Sequence, residues 1–148
     1  MKRLRKTQRQ ETAVSYNSLE RREVLTNFLS ISHVVAGNEL FLRADPNSSR
    51  TIIEINDVGT DIIVSETRVG GGTEDTSFPA AGIDKVRYVG SGFRDVVFSH
   101  TETDTLISGR GGADHLESTS TGINIFHGGD GIDRLFSGSG EDLSLIHI

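Results

Sequence analysis

Acidic or amide side chains recur along the last third of the chain at Asp95, Asp104, Asp114, Asn124, Asp133 and Asp142, at spacings of nine or ten residues. An apolar residue stands two positions after each of the first five: Val97, Leu106, Leu116, Phe126 and Leu135. Self-similarity at so short a fixed period is a statement about fold. Each unit predicts a tight turn followed by a short strand whose apolar side chain points inward, with alternate units stacked on the same side.

The clearest unit is Gly128-Gly129-Asp130-Gly131-Ile132-Asp133-Arg134-Leu135-Phe136, which fits the nonapeptide G-G-x-G-x-D-x-U-x throughout, U being a bulky aliphatic residue. Gly109-Arg110-Gly111-Gly112-Ala113-Asp114-His115-Leu116-Glu117 departs only at its second position, and one inserted residue precedes it. Ser137 to Asp142 matches in its turn apart from its first position, and the units ending at Asp104 and Asn124 lack the glycine pattern. This repeat resembles that of the RTX-type (hemolysin-type) calcium-binding proteins.

The resemblance implies a parallel β-roll with Ca2+ between stacked turns. Glycine supplies the positive φ that the turns require. Carbonyl and carboxylate oxygens supply a hard-cation ligand set. Carried onto this chain, the best site takes the side chains of Asp114 and Asp133 with the carbonyls of Arg110, Gly112, Gly128 and Asp130. A weaker site between Asp95 and Asp114 adds the carbonyls of Gly109 and Gly111, with Phe93 and Arg94 counting against it. One edge, through Asp95, Asp114 and Asp133, is expected to hold calcium. The other, through Asp104, Asn124 and Asp142, is expected to be largely metal-free.

Composition agrees with a fold that has little core to spend. Of 148 residues, 34% are hydrophobic and 17 are glycine, with no tryptophan. Eleven of those glycines lie from Gly90 onward. The absence of cysteine excludes disulfides, thiolate metal sites and cysteine nucleophiles. No apolar run reaches the ~18 residues of a membrane-spanning helix. The net charge of −6 is unevenly placed: residues 1–36 carry seven Lys/Arg against three Asp/Glu, and the remainder eight against eighteen. An acidic, glycine-rich C-terminal part disfavours nucleic acid and favours cations.

Residues 1–37 read as a basic targeting or sorting segment, disordered or helical. Leu19-Glu20-Arg21-Arg22-Glu23-Val24-Leu25 resembles the LEPR-XLL sorting motif of large exported bacterial surface proteins, with Arg21 in place of proline. The alternative is an ordinary amphipathic helix. Residues 38–69 alternate as strands in an antiparallel meander, and 70–83, with three consecutive glycines, read as a flexible connection. Residues 84–142 hold the repeats. The fold expected is all-β, a short antiparallel meander followed by a parallel β-roll.

Residues 143–148 break the repeat, since position 144 should be apolar. The hexapeptide resembles the translation of a transposon-end sequencing adapter, which would make it foreign to the protein; the alternative is an apolar capping strand. The five histidines lack metal-site spacing, no Gly-x-Ser-x-Gly elbow occurs, and no catalytic constellation is visible. The expectation is a non-enzymatic, calcium-binding segment of an exported, extracellular or cell-surface bacterial protein. Cell-surface or matrix partners are unspecified. The alternatives are a metal-independent adhesin or structural module, or the non-catalytic part of a larger secreted enzyme or toxin.

Overall fold

The computed structural model describes residues 21–24, 31–46 and 50–145, and every regular element among them is a strand. In chain order these are β1 (Arg21–Val24), β2 (Ile31–Ala36), β3 (Glu39–Ala44), β4 (Thr51–Val58), β5 (Asp61–Arg68), β6 (Thr73–Pro79) and β7 (Lys85–Val89). They continue as β8 (Val96–His100), β9 (Asp104–Gly111), β10 (His115–Ser118), β11 (Asn124–Asp130), β12 (Arg134–Phe136) and β13 (Asp142–Leu145).

Two sheets result. The first runs β1-β2-β3-β7-β9-β11-β13 and the second β12-β10-β8-β4-β5-β6. β1, β2 and β3 pair antiparallel, as do β4, β5 and β6. Everything from β3 through β7, β9 and β11 to β13 is parallel, and so is β4 through β8 and β10 to β12.

This corrects the expected fold. The chain is all-β, but no antiparallel meander stands apart from a parallel β-roll: both sheets are mixed, each with antiparallel strands at one side and parallel strands at the other. The physical reason is that β3 and β4, expected within the meander, offer their second edges to β7 and β8. Leu40 pairs with Val86 and Ile53 with Val97. Residues 70–83, read as a flexible connection, contain β6, which pairs with β5 from Thr67↔Thr73 to Asp61↔Pro79. The segment read as disordered or helical contributes β1 and β2 to the first sheet, while residues 1–20 and 25–30 lie outside the described residues.

The parallel register repeats every nineteen residues, two nine- or ten-residue units to a coil. Val86, Thr105 and Asn124 are successive partners, as are Val96, His115 and Arg134. Asp104 therefore aligns with Lys85, while Thr105 aligns with Asn124. The slip moves the inward residue of β9 from Leu106, as expected from spacing, to Ile107, which is fully buried. Because side chains alternate along a strand, one residue of slip exchanges faces.

Inward ladders build the core: Leu42–Tyr88–Ile107–Phe126 from the first sheet and Ile53–Val97–Leu116 from the second. The other inward rows change character along the stack. Leu40 and Val86 give way to Thr105 and Asn124, and Ile55 to Ser99 and Ser118, all buried. These rows grow more polar towards the C-terminal strands, while the antiparallel strands β2 and β5 bury His33 and Glu66.

Candidate metal centre

Three turns, 90–95, 109–114 and 128–133, each carry the chain from the first sheet to the second and lie stacked at one edge. Each ends on an aspartate placed just before a parallel strand. Successive aspartates are hydrogen-bonded: the amide of Asp95 donates to Oδ1 of Asp114 at 2.8 Å, and the amide of Asp114 donates to Oδ1 of Asp133 at 3.0 Å. His115 N–H donates to the Asp95 carbonyl at 2.9 Å and Arg134 N–H to that of Asp114 at 2.8 Å.

Glycines permit this approach. An added Cβ at Gly109 would overlap Oδ2 of Asp114 and lie 2.6 Å from the Gly128 carbonyl oxygen. The same construction at Gly90 meets Oδ2 of Asp95 and, at 2.6 Å, the carbonyl oxygen of Gly109. A carboxylate oxygen of one turn and a carbonyl of the next thus face the same small space. Positive φ recurs in register: Arg110 at 76° pairs with Gly129 at 95°, and Gly112 at 120° lies one turn before Gly131 at 129°. The carbonyl oxygens of Arg110 and Gly112 abut Gly129 and Gly131, so both point at the following turn. The Asp130 carbonyl already accepts from Gly112 N–H at 2.9 Å.

The structure therefore brings Asp114, Asp133, Arg110, Gly112, Gly128 and Asp130 to one seam between stacked turns. Oδ2 of Asp114 and Oδ2 of Asp133 are buried there without a hydrogen-bond partner. Buried carboxylate oxygens are rarely left so, because desolvation without compensation is costly. Hard oxygen donors of this kind suit calcium. Among the described residues no three His, Asp or Glu side chains converge on one point, so an ion here would rest on two carboxylates and main-chain carbonyls.

The seam between Asp95 and Asp114 is more closed. Oδ2 of Asp95 accepts from the amide of Ser91 at 2.7 Å and its hydroxyl at 3.3 Å, and Oδ1 accepts from the Tyr88 hydroxyl at 3.4 Å. Phe93 occupies the register position of Gly112 and Gly131, and the Phe93 carbonyl lies 2.6 Å from where a Gly112 Cβ would stand. Ser91 and Tyr88 did not emerge from the repeat pattern. Tyr88 is a core-ladder residue whose hydroxyl happens to reach the turn.

The opposite edge is satisfied within the protein. Asn124 is fully buried; its Oδ1 accepts from Ser118 Oγ at 2.7 Å, and its Nδ2 donates to Ser120 O at 3.2 Å, Gly122 O at 3.4 Å and Asp142 Oδ1 at 2.8 Å. Asp104 Oδ1 accepts from the amide of Ile123 at 2.9 Å.

Burial dominates the electrostatics of the first edge. It pushes the Asp114 carboxyl up to about 7, with the neighbouring charges of Asp95 and Asp133 acting the same way and Arg94 and the Asp95 amide opposing. Asp95 is raised by burial against the lowering effect of its Ser91 and Tyr88 hydrogen bonds. Outside this row, a cleft of about 270 Å³ is lined by Arg94, Ala113, Asp114, His115, Ile132 and Arg134.

No family description matches this chain, and neither the characterised proteins nor the solved structures include a match. Among the described residues no helix is long and apolar enough to cross a membrane.

Proposed function

We propose that the stacked turns bind calcium between Asp114 and Asp133, and that the ion orders this edge of the two sheets in an exported, extracellular or cell-surface protein. The observation that carries the reading is the pair of buried, unpartnered oxygens, Oδ2 of Asp114 and Oδ2 of Asp133, beside main-chain carbonyls turned towards the same seam. A divalent cation would supply the partner both oxygens lack and offset the repulsion along the aspartate row.

Sites in extracellular calcium modules bind at roughly 10⁻⁴ to 10⁻³ M. At millimolar calcium, a dissociation constant of ~10⁻⁴ M adds about 1.4 kcal/mol by mass action, or roughly 3–6 °C in Tm for a chain of this size. Such a site fills outside a cell and stays empty in calcium-poor cytosol. The acidic charge of the C-terminal part supports cations over nucleic acid as partners.

The test is thermal unfolding in millimolar calcium and in chelator, with Asp133→Ala alongside the unaltered chain. The expected result is a higher Tm with calcium, largely lost in the variant. Equal melting in calcium and chelator would overturn the reading and favour a metal-independent structural module, for which the hydrogen-bonded Asn124 edge is a precedent within this same fold.

A further inference from the structure

From Asp95 onward acids outnumber Lys/Arg nine to two, yet one of those two, Arg134, lines the same cleft as Arg94. Among the described residues neither guanidinium forms an ion pair. Two exposed arginines, neither in an ion pair although the Arg94 charge acts on Asp114 in the cleft wall, stand beside one opening in an acidic surface and offer guanidinium forks that match carboxylate geometry.

The cleft continues into a row of rings. His115, one of its walls, lies 5.4 Å from the ring of Phe98 and 5.1 Å from that of Phe136, so three rings cross β8, β10 and β12 on the outer face of the second sheet. Phe136 is 50% exposed and Ile132 83% exposed, so the cleft wall and the end of the ring row both offer apolar surface to solvent. Glu117 stands between Phe98 and Phe136 in the strand register, its Oε2 held 3.3 Å from His115 Nε2, and it forms no ion pair with either arginine.

We propose that the cleft and the ring row together bind a ring-bearing carboxylate, the chemistry of a uronic-acid sugar. Arg94 and Arg134 hold the carboxylate, and Phe98 and Phe136 flank the apolar face of the sugar ring. Charge complementarity selects the acid, and the row of tilted rings beside it, at interplanar angles of 52° and 37°, selects a ring over a small anion. Asp114 forms part of the cleft wall, so its ionised carboxylate opposes an anionic ligand; calcium on that carboxylate removes the opposition. Binding is therefore strengthened by calcium, and this last feature alone rests on the calcium reading.

The experiment follows backbone amide shifts by NMR while adding glucuronate, glucose (the ring without the charge) or acetate (the charge without the ring). Each titration is run in millimolar calcium and in calcium-depleted buffer. Glucuronate is expected to shift the amides of Arg94, His115 and Arg134 at millimolar concentration, with glucose and acetate at least tenfold weaker. The double variant Arg94→Gln, Arg134→Gln should lose at least tenfold in glucuronate affinity while keeping the calcium-induced rise in Tm. Glucuronate binding no tighter than acetate, or unchanged in the double variant, overturns the proposal. A calcium-induced rise in Tm with no glucuronate binding overturns the cleft and leaves the calcium site standing. Selective glucuronate binding without any effect of calcium on Tm supports the cleft and overturns the calcium site.

Discussion

The Asp95 amide donates to Oδ1 of Asp114, nineteen residues further along the chain, at 2.8 Å. One oxygen of each lower carboxylate is thereby used to hold the turn above it, and the same bond repeats from Asp114 to Asp133. The second oxygen of Asp114 and of Asp133 is left over and buried. The aspartate row thus fixes the stacking register through Oδ1 and leaves Oδ2 as the atom that the proposed calcium ion would take.

Gly109 tests that geometry sterically. Its φ lies outside the left-handed region, so alanine there is strained only by what its Cβ would meet, Oδ2 of Asp114 and the Gly128 carbonyl. Gly109→Ala is expected to destabilise the fold by about 1–3 kcal/mol, as overpacking does, and to remove the calcium-induced rise in Tm. Gly92→Ala is the control, because a Cβ there meets nothing within 4 Å. Chemical denaturation of both variants, with and without calcium, makes the comparison.

Arg110 is the one non-glycine among the described residues with positive φ, at 76°, and its partner in the next turn is Gly129. A left-handed conformation costs an ordinary residue about 1–2 kcal/mol, and the extra freedom of glycine in the unfolded chain returns about 0.4–1 kcal/mol of that. Arg110→Gly is therefore expected to raise stability by roughly 0.5–1 kcal/mol. The calcium response should persist, since the Arg110 position contributes only its carbonyl to the seam.

If calcium binds as proposed, protons compete with it for Asp114. Its carboxyl is pushed to about 7 in the folded chain, above its ordinary 3.8. Between those values the folded state binds a proton that the unfolded state does not, so without calcium stability falls as pH rises through the window. Calcium requires the ionised form, and its apparent affinity should drop by up to about tenfold per pH unit below 7. The gap in Tm between calcium and chelator is thus expected to widen from pH 5.5 to pH 8. His33, buried and lowered below 6.5, works in the opposite sense by destabilising the fold as pH falls. Subtracting the profile of Asp114→Asn isolates the aspartate contribution.

How much of this was legible in sequence depends on which interactions are local. The turns Gly109 to Asp114 and Gly128 to Asp133 could be read directly, because a tight turn places glycine and aspartate at fixed offsets within six residues. The strand pairing was not, since Leu40↔Val86 and Ile53↔Val97 join residues more than forty positions apart and no short pattern encodes them. The same limit explains Leu106. Both it and Ile107 are apolar, and only the pairing of Thr105 with Asn124 decides which of them faces inward. The cleft was invisible for a similar reason: Arg94 and Arg134 lie forty residues apart and line one cleft only because nineteen-residue coils stack.

Asn124 supplies the contrast with the aspartate row. It is the inward residue at a position where the neighbouring strand has Thr105 and then, on the other side, Asp142, and all its polar atoms are paired. Asn124→Asp keeps the shape but exchanges three donated bonds for a buried charge facing the Asp142 carboxylate, where the amide now sits at 2.8 Å. A buried charge without a partner costs several kcal/mol unless it is neutralised by a proton. The variant is expected to lose about 2–4 kcal/mol at pH 8 and to recover part of that loss at pH 5, where the new carboxyl takes up a proton. Denaturant titrations at the two pH values check both statements, and the Asp114–Asp133 edge provides an internal reference. If the two edges are independent, the calcium-dependent gain in stability at that edge should be unchanged by the substitution.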